Sequence, residues 1–293
     1  MKTVWRTMWI SCLLAASAPL LAGCSLLAPF SNAKEGKTQK EPIAGAPSKQ
    51  VLRVSQFVFL SDVEMHREQP LFKDLSNLRE QVYRELRLPP ASTEVFVYLF
   101  EDQAKYEKFM KAKYANLPVR RAYFVAQTGR GGAEDLVVYT YLNERTQKDL
   151  RHELTHAMLH SVLKNVPIWL DEGLAEYFEV PAGHNGVNAQ HISAVRQASD
   201  VKFDLDRLEH LKEVHQMSPA EYHEAWAWVH LMLRSTPQAK QALLSYLQDL
   251  RVNPEPGPLR PRLAPAFVSL EQALQAHLAE LHRKLPAGTT ARQ

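Results

Sequence analysis

Pro167 separates two stretches that both read as helix, and each carries ionisable groups one turn apart on one face. His152 and His156 lie upstream, while Glu172 and Glu176 lie downstream, with fifteen residues between His156 and Glu172. Residues four apart on a helix project from the same side. A proline ends one helix and can open the next. The chain can therefore double back after Pro167 and face one pair of side chains with the other. A fold that faces the two pairs places these helices side by side.

The first segment reads His152-Glu153-Leu154-Thr155-His156. Two imidazoles one turn apart can converge on one metal ion. Glu153, rotated about 100° from His152, cannot easily join that pair, but it can reach a water beside the ion. A hydrolase built this way uses zinc to bring the pKa of water toward 7 and uses the glutamate to take its proton. The motif alone is suggestive only: with 12 histidines in the chain, roughly 0.04 chance occurrences are expected. A histidine-rich face satisfied by hydrogen bonds is the bland alternative.

The second segment, Trp169-Leu170-Asp171-Glu172-Gly173-Leu174-Ala175-Glu176-Tyr177, sharpens the reading. Glu172 as third ligand leaves a fourth position open, the mark of a catalytic rather than a structural zinc site. Glu176 is placed to accept a hydrogen bond from the outer ring N–H of a ligand histidine. A solvated helix face explains neither Trp169 nor Gly173, since glycine inside a helix costs about 1 kcal/mol unless close packing requires it. His160 continues the histidine stripe. A site on His156 and His160 would have Ala157 in the position of the base, so His160 reads as packed or surface-facing. Tyr222, His223 and His230 are candidate donors to a transition-state oxyanion, Tyr222 foremost, although Tyr222, Trp226 and Leu233 also form a core stripe.

Together, HELTH and WLDEGLAEY resemble the gluzincin branch of the zinc metallopeptidases, whose second motif supplies the third ligand. The similarity is closer still to small bacterial peptidase-MA-like proteins with a WLxEGLAEY motif. VFVYLF, YEKF, AYFV, VVYTYL and YHEAWAWVHLML extend the likeness over much of the chain. The resemblance implies a zincin-like fold binding one Zn2+, with His152, His156 and Glu172 as ligands, Glu153 as catalytic base and Glu176 behind a ligand. It implies hydrolysis of a peptide or protein substrate. The gap to Glu172 is shorter than in the large aminopeptidases of that branch. Two other readings keep the same metal site: an inactive zinc-binding scaffold, and an amidase acting on peptidoglycan.

Residues 1–23 form a unit of their own. Lys2 and Arg6 precede an apolar run from Met8 to Leu21. That run is shorter than the roughly 20 residues of a membrane-spanning helix but suits a secretory signal. It ends in Leu21-Ala22-Gly23-Cys24, which resembles the bacterial lipobox and implies lipidation of Cys24. Ser25 in the next position implies the outer membrane, facing the periplasm. The other cysteine, Cys12, falls within the signal, so a disulfide framework and thiol catalysis are both excluded. Loss of Lys2 and Arg6 lowers the net charge from +3 to +1, and no concentrated basic face argues for nucleic acid.

Residues 24–50 read as a lipidated flexible tether, because Ala28 to Gln50 is poor in large apolar residues and rich in Lys, Pro, Gly and Ser. The folded part is expected to be α+β. An N-terminal portion over 51–145 holds a small sheet with helices, and a mostly helical portion over 146–293 carries the metal site. Val51–Leu60, Val95–Phe100, Ala122–Ala126 and Leu136–Tyr141 read as strands, the last with an edge to which a peptide could add. Gly129, Gly131 and Gly132 mark a loop that fits no phosphate-binding pattern. Pro70–Leu86 and Glu101–Tyr114 read as helices. Ser218-Pro219-Ala220-Glu221 is a capping box opening a helix to about Leu233. Gln238–Leu250 and Ser269–Lys284 follow, separated by a Pro-rich loop from Pro254 to Pro265. Oligomeric state leaves no trace in the sequence.

Overall fold

The computed structural model describes residues 44–128, 134–197 and 202–285. The signal segment, Cys24, most of the tether and the glycines at 129, 131 and 132 lie outside these residues. The expected α+β layout is found, with a five-stranded mixed sheet in the N-terminal portion and helices thereafter.

The run 51–60 is not one strand but a hairpin of β1 (Gln50–Val54) and β2 (Phe57–Ser61). Ser55, at φ 57°, turns the chain between them, and Val54 pairs with Phe57. A β-rich composition cannot reveal a tight turn made without Gly, Pro or Asn. The folded region also starts before the expected tether ends: Ala46 packs on the core, and the Gln50 side chain bonds the backbone of Met65 in both directions.

Helix α1 (Pro70–Glu85) opens on proline and buries Phe72, Leu75, Leu78 and Val82. β3 (Val95–Phe100) runs parallel to β2, α2 (Gln103–Lys113) follows, and β4 (Ala122–Thr128) pairs antiparallel with β5 (Glu134–Tyr141). The order is β1-β2-β3-β5-β4. β5 is therefore interior, paired on both sides, and the edge proposed for it belongs to β4. Alternation assigns the faces: Val95, Val97 and Leu99 join α1 in one apolar cluster, whereas Tyr98 and Phe100 join Tyr106 and Phe109 of α2 in the other.

The helical portion comprises α3 (Thr146–His160), α4 (Ile168–Phe178), α5 (Ala189–Gln197), α6 (Leu205–Glu209), α7 (Pro219–Arg234), α8 (Pro237–Leu250), α9 (Arg260–Leu263) and α10 (Leu270–Lys284). The capping box is present in full: Ser218 accepts from Ala220 N, and Glu221 bonds back to Ser218 N. Thr236 and Ser269 cap α8 and α10. The Pro-rich loop is helical over α9 and runs into a 3-10 turn at Ala264–Ala266, and Glu209 accepts from the backbone N–H groups of Leu259 and Arg260 where α9 begins.

Two contacts fix α3, α4 and α7 against one another. A Cβ on Gly173 would lie 2.7 Å from the carbonyl oxygen of Ala225, so α4 and α7 approach as closely as their backbones allow. Arg151, only 1% exposed, runs from α3 to the end of α4. It donates to the carbonyls of Phe178 (3.0 Å) and Val180 (2.6 Å) and bridges both oxygens of Asp74 on α1 at 3.0 and 3.1 Å. The free carbonyls at a helix C-terminus attract a cation, and a buried guanidinium requires such a set of partners.

Candidate metal centre

Helices α3 and α4 bring three side chains to one point. His152 Nε2 and His156 Nε2 lie 3.2 Å apart, and Glu172 Oε2 lies 3.5 Å from the first and 3.6 Å from the second. The triangle is nearly equilateral. Ligands about 2.0–2.2 Å from a tetrahedral zinc ion are separated by roughly 3.4 Å. The three expected ligands therefore fit a single zinc ion by size as well as by type. Glu172 and His156 are buried, while His152 keeps an exposed edge toward a cleft.

The outer nitrogens of both rings face carboxylates. His156 Nδ1 lies 3.0 Å from Asp171 Oδ2, and His152 Nδ1 lies 3.7 Å from Glu179 Oε2. A proton held on each outer nitrogen leaves a lone pair on each inner one, and the two inner nitrogens point at each other. Such an arrangement calls for a cation between them. Charge points the same way. Burial works to lower the pKa of His156, yet Asp171 and Glu172 override it and push it up to about 10. Burial opposes ionisation of Glu172, yet His152 and His156 hold its pKa down at about 2. The buried carboxylates need compensating positive charge, which a divalent ion supplies while leaving the imidazoles neutral.

Glu176 comes with Glu179 within 4.8 Å of a His152 ring nitrogen, near the place expected for it, and has a second partner. It sits one turn beyond Glu172, its Oε2 lies 2.9 Å from His191 Nε2, and His191 Nδ1 contacts His223 Nδ1 at 2.7 Å. The carboxylates behind the ligands are Asp171 and Glu179, which sequence reasoning missed. Glu179 also accepts from Asn188 Nδ2 and lies 2.8 Å from Lys148 Nζ. A signal for Glu179 existed, because it lies seven residues after Glu172, two turns along the same face. Asp171 is one residue before Glu172, and only the crossing of α3 and α4 decides that it reaches His156. His160 is outside the triangle: its Nε2 lies 3.0 Å from the same Asp171 oxygen.

Glu153 lines the cleft beside His152. Burial raises its pKa, and Glu172 adds to the rise while His152, His156 and Arg120 oppose it. The cleft holds about 560 Å³ and is lined from α2, the approach to β4, α3, α4, α5 and α7. Of the three candidates on α7, Tyr222 is half-buried, with burial and then Glu172 pushing its pKa up, so the phenol keeps its proton. His223 lines the cleft through its contact with His191. His230 is buried away from it, 2.8 Å from His277 on α10. Trp226 and Leu233 are buried, as the stripe required. Arg120 and His191 were not foreseen; neither lies near a motif.

Residues 148–254 match the model of a family described as protein of unknown function (DUF1570). That span runs from the start of α3 beyond α8 and contains every residue of the triangle. No curated protein matches the chain. Among solved structures, the chain is similar to an M1 zinc metallopeptidase from Deinococcus radiodurans, with 16% identity and a TM-score of 0.45. The alignment covers 82% of this chain and 52% of that one, so the chain spans about half the length of that structure.

Proposed function

We propose that this protein is a zinc-dependent peptide hydrolase of the bacterial cell envelope, held to a membrane through a lipid on Cys24. The observation that carries the enzymatic part is the triangle of His152, His156 and Glu172, whose 3.2–3.6 Å edges suit one tetrahedral ion. A zinc ion held there supplies Lewis acidity, drawing the pKa of water toward 7 and polarising a carbonyl.

The chain's own groups do the rest. Asp171 and Glu179 fix the tautomers and orientations of the two imidazoles. Glu153 takes the proton of the attacking water and delivers it to the leaving amine. Its raised pKa suits a base that must later act as an acid near neutral pH. Tyr222 keeps its phenolic proton and offers it to the oxygen on which charge develops. The sheet and α1 keep bulk water from the far side of α3.

A Glu153→Gln variant tests the reading. It is expected to bind zinc one-to-one, as the unaltered domain does, and to lose peptide hydrolysis by at least about 100-fold. Full turnover in that variant would remove Glu153 from the chemistry. Retained zinc with no hydrolysis in either protein would leave a zinc-binding scaffold, and cleavage of sacculi but not of peptides would make the substrate peptidoglycan. Release of the protein from envelope fractions by Cys24→Ala tests the anchor.

A further inference from the structure

Two arginines stand side by side at the approach to β4, and the fold treats them differently. Arg121 is spent within the protein: its Nε and Nη2 bond both oxygens of Asp149 at 3.1 and 3.0 Å. Lys148, another cation of the cleft wall, is 2.8 Å from Glu179. Arg120 also lines the cleft and stays exposed to it, yet among the described residues it is the lining arginine or lysine with no carboxylate within ion-pair distance. It is set 5.9 Å from the Tyr123 ring centre, with Tyr222 of α7 close enough to act on its charge.

Three carboxylates of the wall have partners of their own. Glu107 accepts from Gln103 Nε2 at 2.7 Å, Asp149 is taken by Arg121, and Glu176 contacts His191 at 2.9 Å. Glu153 and Glu172 act on Arg120 from beyond ion-pair distance, so among the described residues no carboxylate closes on its guanidinium. A guanidinium presents five N–H donors in a planar fork that matches a carboxylate in bidentate fashion. With Tyr123 as an aromatic neighbour and no ion-pair partner, Arg120 keeps donors of that fork for the cleft it lines. Val119, 78% exposed, stands next to it and offers an apolar rim for an adjoining side chain.

We propose that Arg120 is the anchor for a carboxylate of the substrate, so that the cleft selects peptides bearing a negative group close to the bond that is cleaved. The inference rests on the hydrolase reading and adds its substrate class. The shared chemistry is a carboxylate, which a peptide supplies either at its C-terminus or on an Asp or Glu side chain.

The test uses zinc-loaded protein and N-acylated peptides in matched pairs. One pair differs only in a C-terminal acid or amide; a second, amidated throughout, differs only in Glu or Gln beside the scissile bond. The same pairs are titrated calorimetrically into zinc-loaded Glu153→Gln protein and into Glu153→Gln/Arg120→Gln protein. The unaltered protein is expected to favour the carboxylate member of one pair by about 10- to 100-fold in kcat/KM, expressed mainly in KM, the worth of a charge-assisted hydrogen bond. Arg120→Gln removes the preference within that pair at unchanged zinc stoichiometry, and Arg120→Lys restores part of it. The pair that shows the preference identifies the source of the carboxylate. Equal cleavage within both pairs overturns the proposal, as does an equal fall in kcat for all peptides in Arg120→Gln, which would make Arg120 a positioning residue for Tyr222. Should no peptide be cleaved, the hydrolase reading falls. The titrations then decide Arg120 alone, by an acid-over-amide preference that is lost with the arginine or was never there.

Discussion

Replacing Gly173 by alanine probes the close approach of α4 to α7 and its coupling to the metal site. The added Cβ would meet the Ala225 carbonyl oxygen at 2.7 Å, the carbonyl carbon at 2.8 Å and Val229 Cγ2 at 3.0 Å. Ordinary van der Waals contact begins near 3.4 Å, so α4 and α7 must separate by about 0.7 Å. Two of the three obstacles are backbone atoms of a buried helix and cannot swing aside. Alanine gains about 1 kcal/mol of helix propensity over glycine. Overpacking costs about 1–3 kcal/mol, and an obstacle made of backbone belongs at the upper end. The expected net loss is about 1–2 kcal/mol, seen as a fall in Tm of roughly 2–8 °C for a domain of this size. Glu172 is the adjacent residue, and a shift of this size exceeds the about 0.5 Å tolerance of a preorganised site. Zinc affinity, measured by competition with a chromogenic chelator, should weaken about tenfold. Gly183→Ala is the control, because nothing lies within 4 Å of its added Cβ. A Gly173→Ala protein that melts higher and binds zinc as before would refute the reasoning, for the propensity gain would then act alone.

Zinc added to chelator-treated protein at 100 times its Kd should stabilise the fold by about 2.7 kcal/mol, and His152→Ala should abolish that rise in Tm. Asp171→Asn should weaken zinc binding about 10- to 100-fold while the far-UV circular dichroism spectrum stays unchanged, because the carboxylate orients His156 without being a ligand. Arg151→Met should cost about 3–5 kcal/mol in denaturant unfolding, since Asp74 and the carbonyls closing α4 lose their buried partner. Burial, aided by His277 and Arg234, lowers the pKa of His230 from 6.5 to about 3. The unfolded chain therefore takes up a proton that the folded one refuses, and stability falls as pH drops below 6.5. Between pH 7 and pH 5 this one group contributes a loss of about 2 kcal/mol. His230→Gln should narrow the difference in chemical stability between those two pH values, and an unchanged difference would contradict the assignment.

What the chain's own order determined is local. The one-turn spacing of His152 and His156 is a consequence of helical geometry, so their convergence was legible as soon as α3 was read as a helix. The same holds for the capping box at Ser218, the proline start of α1 and the alternation of Val95, Val97 and Leu99. Gly173 was legible as a packing site, although not its partner. What only the tertiary structure decided is every pairing between elements. Glu176 and Glu179 share a helix face, and the rotation of α4 against α3 brings both near His152, with Glu179 at its Nδ1 and Glu176 also in contact with His191. The split of 51–60 into a hairpin and the interior place of β5 depend on which strands meet, which alternation within one strand does not encode. Arg120 and Arg121 are adjacent and chemically identical. Only the direction in which the folded backbone points each guanidinium makes one a structural partner of Asp149 and leaves the other open to the cleft. Contacts within a helix are imposed by its repeat; contacts between elements depend on the loops and packing that set their relative rotation, and no short run of residues contains that information.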